Sequence, residues 1–259
     1  MLPIVDKPII QYLVEEIAEA GVEDIIMVTR WDKKPLEDHF DRSAELEQSL
    51  EKNGKTAYLE QVKKISNLAN FIFVRQKGPY GNGTPILSAA SIVKDEPFVF
   101  AFGDDLVKSK VSFTKQLVDA YEKHGCPIIG VQKVAKKEVD RYGIVKLKKG
   151  TMEIEDIIEK PSIAEAPSQY ADFGRMILNQ EIVDILKETP LGKGNELWII
   201  DAIRTYIKRG GKFYAQEVQD GTWMTTGDPL NYLKATIEYA MDRPDLNKEF
   251  KKYLKGKVG

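Results

Sequence analysis

Three glycines and two prolines crowd into residues 78–85, between two short apolar runs, Phe71-Ile72-Phe73-Val74 and Phe98-Val99-Phe100-Ala101-Phe102. Runs of four or five apolar residues have strand length. Neither run alternates with polar residues, as expected of strands covered on both faces. Glycine and proline break regular structure between them. Thr84-Pro85 fits a helix N-cap and first helical position, because proline's missing N–H is unpaired there in any case. The helix it opens is predicted over Ile86 to Ile92, and the second apolar run ends in Gly103-Asp104-Asp105. Strand, glycine loop, helix, strand and acidic pair in that order constrain the chain to an α/β layer fold. In such folds ligands sit beyond the carboxyl ends of the strands. Gln76, the Gly81/Gly83 loop and Asp104 then share one rim. Bare glycine backbone admits a ligand closely, and a carboxylate there can hold Mg²⁺ beside phosphates. The same residues also fit two ordinary βα turns with a solvated acidic pair, and the stretch alone leaves both readings open.

The alternation continues along the chain. A helix is predicted over Ile9 to Ala20 and a strand over Ile25 to Val28. A charged helical arm follows from about Pro35 to Ile65, interrupted at Asn53-Gly54. Further helices are predicted over Phe113–His124, Glu181–Lys187 and Trp198–Lys208. Further strands are predicted over 127–134, 142–145, 154–158, 171–178 and 213–215. Residues 221–229 read as a loop, and Asp228-Pro229 opens a helix to about Met241. A basic helix closes the chain over 246–254. The pattern predicts a mostly parallel sheet with helices on both faces, in one domain spanning 1–259 with C-terminal helices from about 228. Tyr232, Leu233, Ile237, Tyr239, Phe250 and Tyr253 fit either subunit contacts or a cover for the sheet. Two positions stand out. Glu159 and Lys160 precede Pro161 at a strand end, and adjacent strand residues point to opposite faces unless the strand bends. Gly174 within a strand suggests close approach of a ligand or another chain.

Composition narrows the classes. With 38 Lys and Arg against 40 Asp and Glu the net charge is −2, which implies no polyanionic partner, and no basic stripe or aromatic platform suggests nucleic acid. The one cysteine, Cys126, excludes an internal disulfide and fits a reducing cytoplasm. His39 and His124 lack zinc spacing, so structural or surface roles are expected. No apolar run is long enough to cross a membrane.

Read in order, Met1–Glu16, Asp38-His39-Phe40-Asp41, Arg75-Gln76, Gly81-Asn82-Gly83, Gly103-Asp104, Tyr142–Val145, Ile158–Pro161, Gly174-Arg175, Glu196 and Asp201-Ala202-Ile203 are closely spaced as in one family. Over nearly its whole length the chain resembles bacterial and archaeal UTP–glucose-1-phosphate uridylyltransferases (UDP-glucose pyrophosphorylases) of the sugar nucleotidyltransferase family. The resemblance implies a Rossmann-like nucleotidyltransferase sheet. It implies Mg²⁺-dependent joining of UTP to glucose 1-phosphate with release of pyrophosphate. It also implies roles. Gln76 reads the uracil edge, with Gly81 admitting the base. Asp104 is the Mg²⁺ ligand and, with Lys160, catalytic. Gly143 faces the glucose ring, Glu159 accepts its hydroxyls, Lys160 is the cation on the phosphates and Gly174 lies near the ligand. Glu196 and Asp201 fit structural roles somewhat better. A homo-oligomer in the cytoplasm is expected.

Three departures qualify the resemblance. The family opens with a central strand and a triphosphate loop of the type G-x-G-T-R-x-x-P-x-T-K, and Met1 corresponds to a methionine beyond it. The expectation is therefore a truncated or mis-started chain, its first strand missing, that binds UTP poorly and catalyses weakly. Thr225 stands where many relatives carry an aspartate able to bind a second metal, and neither Asp105 nor Asp228 can be assigned to the metal in its place. The glycine loop reads Gly-Asn-Gly-Thr-Pro where many relatives have Gly-Leu-Gly-His-Ala, which bears on nucleotide or sugar choice. The alternatives are a sugar-1-phosphate nucleotidyltransferase using dTTP, or a non-catalytic paralogue that binds sugar nucleotides.

Overall fold

The computed structural model describes residues 1–258. It opens with two short strands, β1 (Pro3–Ile4) and β2 (Lys7–Pro8), paired antiparallel where the sequence reads as loop. Helix α1 (Ile9–Glu19) follows, with Ile9, Leu13 and Ile17 buried four residues apart on one face. β3 (Asp24–Thr29) pairs in parallel with β4 (Asn70–Arg75). Between them the charged arm forms α2 (Lys34–Phe40), α3 (Ala44–Lys52) and α4 (Thr56–Ser66). The break at Asn53-Gly54 is as predicted. A second break falls at Asp41, whose backbone turns extended before Ser43 caps α3 by accepting from the Leu46 N–H.

The central stretch gives α5 (Thr84–Val93), β5 (Phe98–Ala101) and β6 (Asp105–Ser109). Gly83, not Thr84, is the N-cap of α5; the Thr84 hydroxyl instead donates to the Pro79 carbonyl at 2.7 Å and pins the glycine loop. Then come α6 (Phe113–His124), β7 (Ile128–Lys133), β8 (Gly143–Leu147), β9 (Ile154–Glu159), β10 (Tyr170–Leu178), α7 (Gln180–Glu188), α8 (Ile199–Lys208), β11 (Tyr214–Glu217), β12 (Gly221–Thr225), α9 (Pro229–Asp242) and α10 (Asn247–Val258). Residues 221–225, predicted as loop, are a strand because they pair with β6, itself missed in the sequence reading.

The α/β class holds, but the strand directions are mixed rather than mostly parallel. The main sheet runs β11-β7-β10-β8-β9, with β5 also on β10. Only β11–β7 and β3–β4 are parallel ladders among the described residues. Short connections explain this: β8 and β9 form a hairpin around Gly150, whose φ of +75° suits a tight turn. β10 is the pivot. Its Ala171 pairs with Ile144 of β8, whereas Arg175 to Leu178 pair with β5. On its other edge the register against β7 shifts between Asp172 and Met176. β8 and β5 therefore fork apart on one side of β10, around residues 172–174.

β10 alternates between two cores. Met176 and Leu178 face a cluster with Ile182 and Leu186 of α7 and Ile199 and Ile203 of α8. Phe173 and Ile177 face Phe113 and Leu117 of α6 and Trp223. The apolar strands β3, β4 and β5 are covered less than predicted, and every residue of β5 is half-buried. β5 has β10 as its one ladder partner, and β3 has β4. Among the C-terminal apolar residues, Tyr232 and Tyr239 pack against the cluster of Ile4, Leu13 and Leu106, whereas Leu233, Ile237 and Tyr253 are exposed.

Arg175 is fully buried at the bend. Its guanidinium is ion-paired with Glu16 of α1, donates to Thr114 Oγ1 at 3.1 Å and donates to the Asp105 carbonyl at 3.2 Å. Glu16 in turn accepts from the Thr114 N–H at 2.6 Å, capping the start of α6. A buried charge that loses its partner is costly. Glu16→Ala is expected to destabilise the protein by about 3–5 kcal/mol in urea denaturation. A loss below about 1 kcal/mol would show that this pair does not hold the bend.

Candidate functional site

The fork holds a cavity of about 210 Å³, lined by Gly143, Glu159, Asp172 and Gly174, with Tyr142, Trp198 and Trp223 around it. β8 supplies Gly143, β9 ends at Glu159 and β10 crosses beneath with Asp172 to Gly174. Gly174 is required there by space: a Cβ would fall 1.9 Å from the Phe102 ring. Its carbonyl accepts from the Phe102 N–H at 2.6 Å, so β5 and β10 are drawn together at the edge of the cavity. The Phe173 and Trp223 rings stack with centroids 5.1 Å apart and wall its base.

Glu159 and Lys160 share a side after all. Lys160 has φ of +46°, so the strand alternation fails at that residue, and its Nζ lies 3.9 Å from Glu159 Oε1. Positive φ is strained for a lysine, and such strain concentrates at working sites. The Lys160 N–H donates to the Tyr142 carbonyl at 3.0 Å, which ties the kink to β8. Both side chains are open to solvent, so the ammonium is free to move onto a ligand.

Asp104 and Asp105 part company. Asp105 is buried, accepts from Trp223 Nε1–H at 2.7 Å and from the Gly174 N–H at 3.2 Å, and lines the cavity. Burial pushes its carboxyl up to about 6, a rise the Trp223 hydrogen bond offsets in part. It is a structural acid beneath the site. Asp104 is exposed, and its backbone carbonyl accepts from both the N–H and hydroxyl of Thr226. Its carboxylate points outward toward Gly227, without a cationic partner among the described residues. One free carboxylate fits a Mg²⁺ that keeps waters and takes its other oxygens from substrate phosphates. No cluster of three or more acidic, histidine or cysteine residues among the described ones could hold a metal by itself. Asp228 caps α9 through the Asn231 N–H and pairs with Arg141 at 3.0 Å, and Thr225 Oγ1 accepts from the Gly227 N–H. Neither adds a second carboxylate beside Asp104.

Gln76, Gly81, Asp104 and Lys160 do not line the cavity itself. Gln76 follows β4, with its N–H held by the Thr29 carbonyl. Gly81 has φ of +121°, and a Cβ there would fall 2.2 Å from the Leu197 carbonyl oxygen. The glycine loop is thus packed on the segment that leads into α8. The Gly83 N–H donates to the Leu197 carbonyl, and Asn82 Oδ1 accepts from the Ile199 N–H, capping that helix. Glu196 and Asp201 belong to this frame: the Glu196 carbonyl accepts from the Gly192 N–H, and Asp201 lies in the first turn of α8. His39 bonds Gln11, His124 stacks on Tyr214 and Cys126 is buried, all away from the cavity. A larger groove of about 730 Å³ lies beyond Trp223; of the four lysines lining it, Lys108 pairs with Asp242 and Lys110 with Asp220.

Asn82, Asp105, Asp172, Trp198 and Trp223 were not among the residues predicted to form the site. Asn82 and Asp105 lie inside motifs the sequence singled out, and Asp172 carried its own signal as the one acid in an apolar strand beside Gly174.

The nucleotidyl transferase family model matches residues 1–241. The UTP--glucose-1-phosphate uridylyltransferase YngB of Bacillus subtilis (strain 168) is 42% identical over 257 residues, which span 98% of this chain and 86% of that protein. A UDP-glucose pyrophosphorylase solved with UDP-glucose aligns at a TM-score of 0.81 and 39% identity, covering 94% of this chain and 90% of the other. A UTP-bound enzyme from Acinetobacter baumannii aligns at 0.90 and 34%, covering 98% and 90%.

Gly174→Ala is expected to unfold at least about 2 kcal/mol more easily, because the added methyl meets the Phe102 ring. Phe102→Ala in the same chain should recover part of that loss. Full stability of the single variant in a denaturant melt would contradict this packing.

Proposed function

The chain belongs to the nucleotidyl transferase family, and we propose that it transfers the uridylyl group of UTP to glucose 1-phosphate. The kink at Lys160 carries this reading, because it sets an ammonium 3.9 Å from the carboxylate of Glu159 at the mouth of the fork. A sugar phosphate needs those two groups side by side. Glu159 accepts sugar hydroxyls, and Lys160 meets the phosphates as a compact point charge. The similarity to enzymes named for UTP, glucose 1-phosphate and UDP-glucose supports the choice of substrates.

A phosphate oxygen of glucose 1-phosphate bonds to the α-phosphorus of UTP. The bond from that phosphorus to the bridging oxygen breaks, and pyrophosphate leaves. The protein positions the two anions and offsets their charge; it donates no atoms. Gly143 and Gly174 let Asp172 and Phe102 pack in at the edge of the cavity left to the sugar, and Lys160 draws the attacking phosphate toward the nucleotide. Gln76 reads the uracil edge beside the Gly81 loop. Asp104 would hold Mg²⁺, which when bound neutralises charge on the nucleotide phosphates. The lone buried Cys126 supports a reducing cytoplasm, and the exposed Leu230, Leu233 and Ile237 on α9 support association of copies.

Pyrophosphate release is expected when UTP, glucose 1-phosphate and Mg²⁺ are all present, and to stop when divalent ions are chelated. Lys160→Ala should lower turnover by about a hundredfold or more. Faster turnover with dTTP would reassign the nucleotide. Tight UDP-glucose binding without turnover would make the chain a non-catalytic sugar-nucleotide binder.

A further inference from the structure

The chemistry above leaves one acid of the cavity unused. Asp172 lies on β10 where β8 and β5 diverge, and it lines the cavity together with Glu159. The backbone of Gly143 lies against its carboxyl. Gly143 stands directly opposite Glu159 in the β8–β9 ladder. A Cβ on residue 143 would fall 2.4 Å from Asp172 Oδ1. The glycine is bare because the carboxyl occupies the space above it. Two acids, on the strands either side of β8, therefore flank the buried backbone of Gly143, and no basic side chain is ion-paired with Asp172 among the described residues.

A carboxyl withdrawn from water beside a second acid is stable only if it finds a hydrogen-bond donor or keeps its proton. Burial pushes Asp172 up to about 8, and the neighbouring Glu159 and Asp105 add to the rise. At neutral pH it is chiefly a neutral acid, able to donate one hydrogen bond and accept another. A free sugar hydroxyl matches such a pair, since it can donate to Glu159 while accepting from Asp172. A deoxy carbon offers neither, and would leave both acids unsatisfied in a small cavity.

We propose that Asp172 is a specificity-determining residue of the sugar subsite, which with Glu159 selects a neutral hexose 1-phosphate by a free ring hydroxyl. The assignment rests on the uridylyltransferase reading. The acid is a selector, not a participant in the transfer.

Calorimetric binding of UDP-glucose and of UDP tests it, because UDP lacks the sugar and reports on the nucleotide subsite alone. Asp172→Val should weaken UDP-glucose by about tenfold and leave UDP unchanged, while Asp172→Asn, which keeps a donor and an acceptor, should stay within about threefold. Among UDP-deoxyglucose isomers, one should bind the wild type about tenfold more weakly than UDP-glucose, and Asp172→Val should no longer separate the two. Equal losses for UDP and UDP-glucose would assign Asp172 a merely structural role and overturn the proposal. So would unchanged UDP-glucose binding in Asp172→Val, and in both cases the uridylyltransferase reading would stand. A wild-type chain that binds UDP but not UDP-glucose would overturn that reading and this assignment with it.

Discussion

Between Asp172 and Arg175, β10 leaves β8 and takes up β5, and the buried Arg175–Glu16 pair holds the strand at that bend. The bend has two consequences. It opens a wedge between two strands that a regular sheet would close, and it brings α1, α6 and the segment after β5 onto one guanidinium. A buried ion pair is a poor source of net stability, since desolvation offsets much of the attraction. Its contribution is geometric. Its bonds to Glu16, Thr114 and the Asp105 carbonyl fix directions that an apolar side chain would leave loose. The guanidinium holds the Asp105 carbonyl, so the neighbouring Asp104 is aimed outward by the same network that shapes the cavity floor.

The cavity is small because glycines make it so. Gly174 lets Phe102 close over β10, and Gly143 lets Asp172 lie across β8. Each glycine is needed by a neighbouring side chain as much as by any ligand. Gly81 shows the same double use, since its bare Cα lies against the Leu197 backbone. Through Asn82 and Leu197 the glycine loop is bound to α8, whose first turn borders the cavity. The glycine loop and the β8–β5 fork are thereby parts of one frame.

Local order was readable from the residues. Helix α6 falls on its predicted limits, and Asp228-Pro229 opens α9 as its capping chemistry requires. What escaped was pairing between segments far apart. β6 and β12 carry weak strand patterns and exist because they pair with each other across more than a hundred residues. Strand direction escaped only in part: Lys148-Lys149-Gly150 reads as a hairpin turn and does join β8 to β9, but nothing local marks the antiparallel pairing of β10 with β5 and β7. At the site, Glu159, Gly143 and Gly174 were named and lie together. Asp105, Asp172 and Trp223 were not, because nothing local tells that a tryptophan will donate to an acid 118 residues away. Conversely, Lys160 was legible as a problem: two candidate site residues side by side on a strand require a kink to share a side, and the backbone has one.

A crystal structure of this protein with UDP-glucose bound shows where the sugar goes. The glucose ring is expected in the β8–β5 fork beside Gly143 and Gly174, with a ring hydroxyl within hydrogen-bond distance of Glu159. Glucose in the larger groove beyond Trp223, with the fork left to water, would contradict it.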